Sequence, residues 1–61
     1  MSDIKRVRGF KQEFIKNKPE IKEQVEELFQ LMLDEIEEGN SVENECNMFI
    51  IACEQILEYN N

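Results

Sequence analysis

The chain has 61 residues, 14 acidic side chains against 7 basic ones, and a formal net charge of −7. At that length it makes one domain, taken here as a single small helical unit over residues 1–61, and such a unit buries only about 60% of its unfolded surface. There is no room for a nucleotide-binding sheet or a barrel. The absence of histidine removes the commonest general base, metal ligand and pH switch.

The first 18 residues carry a mixed signal. Ile4, Val7, Phe10, Phe14 and Ile15 fit one helical face, but Lys11 falls inside that arc. Gly9 costs a helix interior about 1 kcal/mol relative to Ala. A short basic N-terminal helix fits the pattern; so does an extended segment near residues 4–8 followed by a short helix over about 10–16. Asn17-Lys18-Pro19 reads as a turn, because a residue before proline avoids the helical region.

The strongest periodicity lies over residues 19–38. Ile21, Val25, Leu28, Phe29, Met32 and Ile36 form one helical stripe. Pro19 suits the first helical position, Glu20 and Glu23 suit the positive end of the helix dipole, and Gly39-Asn40 suits the stop. Leu31 and Leu33 flank the stripe on opposite sides and widen the apolar arc to about 200°. One neighbouring helix cannot cover that arc, so the helix is expected to be packed from two sides.

A second long helix follows over residues 41–59. Asn40 or Ser41 caps it, and Asn40 with Glu43 resembles a capping box. Val42, Cys46, Phe49, Ile50, Cys53, Ile56 and Leu57 make its main stripe. A weaker apolar line runs through Met48, Ala52 and Tyr59, with Ile51 beside it. The expected fold is therefore all-α: an antiparallel helical hairpin, about 19–38 and 41–59, with a short basic N-terminal helix, as a three-helix or dimeric helical bundle. The two stripes, from Ile21 to Ile36 and from Val42 to Leu57, supply the expected core. Leu31, Leu33, Met48, Ile51 and Tyr59 are the candidate self-association residues, and a homo-oligomer is expected from the wide arcs and the short chain.

Cys46 and Cys53 are seven residues apart, about 10 Å along a helix, beyond the roughly 7 Å between Cα atoms that a disulfide allows. Two readings remain: reduced, buried apolar residues, which a cytoplasmic protein favours, or thiols that pair across a dimer. Two thiols without imidazole do not make a zinc site, and no metal or other cofactor is expected. The longest apolar run covers residues 48–53, far short of the roughly 20 a membrane span requires, and the N-terminus does not lead into an apolar signal core, so no membrane contact is expected.

Charge is segregated. All seven basic residues lie within the first 22 positions, which also hold three acids, a balance of +4; residues 23–61 hold eleven acids and no Lys or Arg. A basic segment lying along acidic helices, in the same chain or a second subunit, is the plain structural explanation, since it reduces repulsion between like charges one turn apart such as Glu23/Glu27 and Asp34/Glu38.

Three functional readings compete with it. The first is an acidic contact surface, with Glu23, Glu26, Glu27, Asp34, Glu37 and Glu38 as candidate residues, for a protein partner with a basic surface; with Glu35, Glu43 and Glu45 added, the same surface could mimic nucleic acid as an inhibitor. The second is DNA binding through Lys5, Arg6, Arg8 and Lys11. A short basic segment, with Ile4-Lys5-Arg6-Val7-Arg8 offering alternating strand positions, followed by two helices is loosely similar to ribbon-helix-helix proteins; that resemblance implies paired N-terminal strands entering the major groove of DNA. Against it stand the length of the 19–38 helix and its acidic exterior, which repels phosphate. The third is magnesium chemistry on Glu23-x-x-Glu26-Glu27 and Asp34-Glu35-x-Glu37-Glu38, but these carboxylates project opposite the apolar stripe with no downstream cation to hold a phosphate. The cysteines lack a histidine partner, so a thiolate nucleophile has no better support. The expectation is a non-catalytic helical interaction or regulatory module.

Overall fold

A computed structural model describes residues 3–59. It is all-helical, with no strand among the described residues: α1 Asp3–Asn17, a 3₁₀ turn Pro19–Ile21, α2 Lys22–Glu37 and α3 Val42–Tyr59. The extended alternative for residues 4–8 is overturned, and helix runs straight through Gly9. The reason lies in burial. Val7 is fully buried, and Ile4, Phe10, Phe14 and Ile15 pack against the same core, which outweighs the helix-propensity cost of one glycine. Val7 is a core residue absent from the two expected stripes.

Lys18 closes α1 by donating its backbone N–H to Phe14 O at 3.1 Å and Ile15 O at 3.2 Å. Pro19 then opens a single 3₁₀ turn, so the helix predicted from residue 19 is α-helical only from Lys22. At the other end of α2 the chain stops in a Schellman arrangement: Gly39 N–H donates to Ile36 O at 3.0 Å and Asn40 N–H to Glu35 O at 3.1 Å. Gly39 adopts φ 108°, a conformation that suits glycine and strains other residues.

The start of α3 differs from the expected capping box. Ser41 Oγ accepts the backbone N–H of Asn44 at 3.3 Å and is the cap. The Asn40 amide turns back instead and donates to Glu35 Oε2 at 2.6 Å. Asn40 is committed to the preceding helix because it belongs to that helix's closing turn.

All three helices feed one core of Val7, Ile21, Val25, Phe29, Met32, Cys46, Phe49 and Cys53. Helices α2 and α3 pack on each other, and α1 lies against both. Phe29 and Phe49 meet edge to face with centroids 5.6 Å apart, and Phe10 stacks on Phe14 at 5.6 Å. Leu28, Ile36, Ile50 and Ile56 are partly buried against this cluster. Val42, expected in the core, is 36% exposed. As the first residue of α3 it has no preceding helical turn beside it to shield its side chain.

Candidate functional site

Once folded, the segregated charge becomes a division of the surface. Helix α1 carries five basic and two acidic side chains, α2 carries six acids and Lys22, and α3 carries four acids with no Lys or Arg. The six candidate acids Glu23, Glu26, Glu27, Asp34, Glu37 and Glu38 are all exposed, and the stripes through Val25, Phe29 and Met32 of α2 and Cys46, Phe49 and Cys53 of α3 turn inward.

One of the six is already engaged inside the chain. Lys11 Nζ donates to Glu26 Oε1 at 2.8 Å and lies 4.5 Å from the centroid of the Phe29 ring. Its side chain is only 13% exposed against 44% for Glu26. This explains a cation within an apolar arc: the butylene stem covers core and the ammonium caps an aromatic face beside a carboxylate. Arg8 lies 5.8 Å from the same ring. Arg6 pairs with Asp3 at 3.3 Å on the open surface, while Lys5 is exposed. The structure thus splits the four candidate nucleic-acid contacts: Lys5, Arg6 and Arg8 lie outward on a helix, and Lys11 joins α1 to α2.

Because Lys11 is mostly covered and Lys5 is exposed, their removal should differ. Lys11→Ala is expected to lower unfolding free energy by about 1–2 kcal/mol, against less than about 0.5 for Lys5→Ala. A double-mutant cycle with Glu26→Gln should assign about 0.5–1 kcal/mol to the ion pair itself. Urea denaturation of the four proteins measures both. A Lys11 effect no larger than that of Lys5 would contradict the packing role.

The side of α2 and α3 away from Lys11 has a different character. Leu28 and Leu31 of α2 and Ala52, Ile56 and Tyr59 of α3 line one hollow, and Leu28, Leu31, Met48 and Ala52 line a second continuous with it. The two share Leu28, Leu31 and Ala52, and we read them together as one open groove. Leu31 and Met48 are each 55% exposed and Tyr59 is 93% exposed. Ile51 is 53% exposed but lies outside the groove lining. Leu33 packs against the chain's own core. The five self-association candidates therefore separate into three groove residues, one residue elsewhere on α3 and one contributor to the internal packing.

The groove is edged by carboxylates. Glu27 borders the first hollow, Glu35 and Glu45 border the second, and Glu58 stands beside Tyr59 and Gln55 at the end. No Lys or Arg lines any part of it. Glu35 and Glu45 belong to the acidic surface expected for nucleic-acid mimicry, whereas Glu58 was not a candidate; the periodicity places the three beside Leu31, Met48 and Tyr59, but only the pairing of α2 with α3 brings them to the edges of the same hollows.

Cys46 and Cys53 are free and buried. Burial raises the Cys46 thiol pKa, with further raising by the Asp3 and Glu45 carboxylates and partial opposition from Arg6. Burial, followed by the Glu54 carboxylate, pushes Cys53 from 9.0 to about 11. Both shifts favour the neutral thiol, the opposite of what activates a cysteine nucleophile. No described helix is long and apolar enough to cross a membrane. No protein-family model matches the chain, and no curated protein or solved structure matches it.

Proposed function

We propose that the chain is a non-catalytic, cytosolic helical interaction module that contacts a basic protein partner through the acidic surface of α2 and α3. The observation that carries this reading is the placement of charge. Five of the seven cations sit on α1, one of them tied down by Glu26, and the other two, Lys18 and Lys22, flank the 3₁₀ turn, while α2 beyond Lys22 and all of α3 carry only carboxylates among their charged side chains. Such a field attracts a basic surface over a distance of about one Debye length and speeds encounter. The unactivated thiols agree with a binding role and with reducing surroundings.

We also read the fold as an antiparallel α2–α3 hairpin with α1 laid across it as a three-helix bundle. Early residues of α2, from Gln24, share a hollow with late residues of α3, to Tyr59, whereas later residues of α2, to Glu35, meet early ones of α3, from Glu45. In this arrangement α1 supplies the second packing surface that the wide apolar arc of α2 requires. A second subunit is then not needed to complete the core. The basic segment favours DNA binding less than the acidic surface favours a protein: its residues form a helix, and Lys11 is committed to α2.

Capture from lysate of the native host tests the acidic surface. Glu23→Lys, Glu27→Lys, Asp34→Lys and Glu37→Lys combined should lower recovery of the captured partner by at least about tenfold. Glu26 is left intact to preserve its bond to Lys11, and an unchanged circular-dichroism spectrum would establish that the variant folds. Undiminished capture would sink the assignment.

A further inference from the structure

We propose that the groove between α2 and α3 is the docking site for a basic amphipathic helix of the partner. The proposal rests on the interaction-module reading and specifies which part of the partner is bound. From Met48 to Tyr59 the groove follows α3 for about 16 Å, or three helical turns. That length receives apolar anchors spaced i, i+3 or i+4, and i+7 on a docked helix. Ala52 lies at the middle, common to both hollows, where a small side chain lets another helix approach closely. The flanks of a helix seated there would face Glu27, Glu35, Glu45 and Glu58, so its polar edges must be Lys or Arg.

The same chemistry disfavours a second copy of this chain. Groove against groove would bring the rim carboxylates Glu27, Glu35 and Glu45 of one copy against those of the other, with no cation lining either groove. Docking α1 of another copy would supply cations without anchors, because among the described residues the exposed large apolar ones are Leu31, Val42, Met48, Ile51 and Tyr59, all on α2 and α3. Only a chain with apolar and basic stripes on one helix satisfies both the floor and the rim.

The test uses the full chain and a fluorescein-labelled peptide of Leu and Lys, about 18 residues long, with Leu at i, i+3 or i+4, and i+7 spacing. Anisotropy should show saturable binding that weakens as salt is added. Leu31→Gln, Ala52→Trp, or Glu27→Lys with Glu45→Lys should each raise Kd by about tenfold or more. Ile51→Gln, which removes an equally exposed apolar group outside the groove, should change Kd by less than about twofold. Leu31 is exposed, so its variant keeps the test valid should Ala52→Trp fail to fold.

Absence of saturable binding, equal affinity for a Glu-for-Lys peptide, or an Ile51→Gln loss matching that of Leu31→Gln would overturn the proposal. So would sedimentation showing a homodimer that Leu31→Gln dissociates. Acid-dependent lysate capture with a peptide indifferent to the groove variants would overturn the groove and leave the module reading intact. Groove-dependent peptide binding with acid-independent lysate capture would support the groove and remove the broader acidic-face assignment.

Discussion

Phe29→Ala is expected to lower unfolding free energy by about 3–5 kcal/mol, the usual cost of truncating a buried aromatic side chain. Three interactions meet at that ring: the core that buries it, the edge-to-face contact with Phe49, and the Lys11 ammonium on its face. A domain of 61 residues has a total stability of about 3–9 kcal/mol, so this one substitution removes at least about a third of it. Thermal melting followed by circular dichroism should show a midpoint lowered by roughly 15–30 °C, or no cooperative transition. A fall of less than about 5 °C would mean that Phe29 does not join the helices as described.

Cys53 should be almost inert to thiol reagents in the native protein and become reactive on unfolding. Raising its pKa from 9.0 to about 11 lowers the thiolate fraction near pH 8 by about a hundredfold, before steric protection by the core is added. Titration with a chromogenic disulfide, with and without denaturant, measures the ratio; a native rate within about tenfold of the unfolded one would contradict the burial. The shift also sets a direction for stability. Above pH 9 the unfolded chain loses the Cys53 proton while the folded chain keeps it, so this contribution is complete below pH 9 and declines up to about pH 11. The raised Cys46 thiol acts in the same sense.

Much of the site's composition was legible in one dimension. The apolar stripes through Val25, Phe29 and Met32 and through Cys46, Phe49 and Cys53 occupy the core because periodicity reports which residues share a helical face. The acids on the outer face of α2 were legible for the same reason, and Gly39 marked the stop because φ 108° suits glycine. Lys11 was visible only as an anomaly. Its explanation needed Glu26, fifteen residues away, and the face of Phe29, which local spacing does not connect to α1.

The sequence by itself determined that this protein is helical, acidic over its long helices and basic over its first segment, because helical period, turn chemistry and residue charge are local properties. The tertiary structure decided that residues 4–8 are helix rather than strand, since burial of Val7 repays the weak propensity around Gly9. It also decided which apolar residues remain outside. Leu33 and Leu31 flank the same stripe, yet Leu33 is packed inward and Leu31 opens into the groove with Met48 and Tyr59. A wide apolar arc does not identify its coverer; the packing of α1 assigns one side to the core and leaves the other edged by Glu27, Glu35 and Glu45.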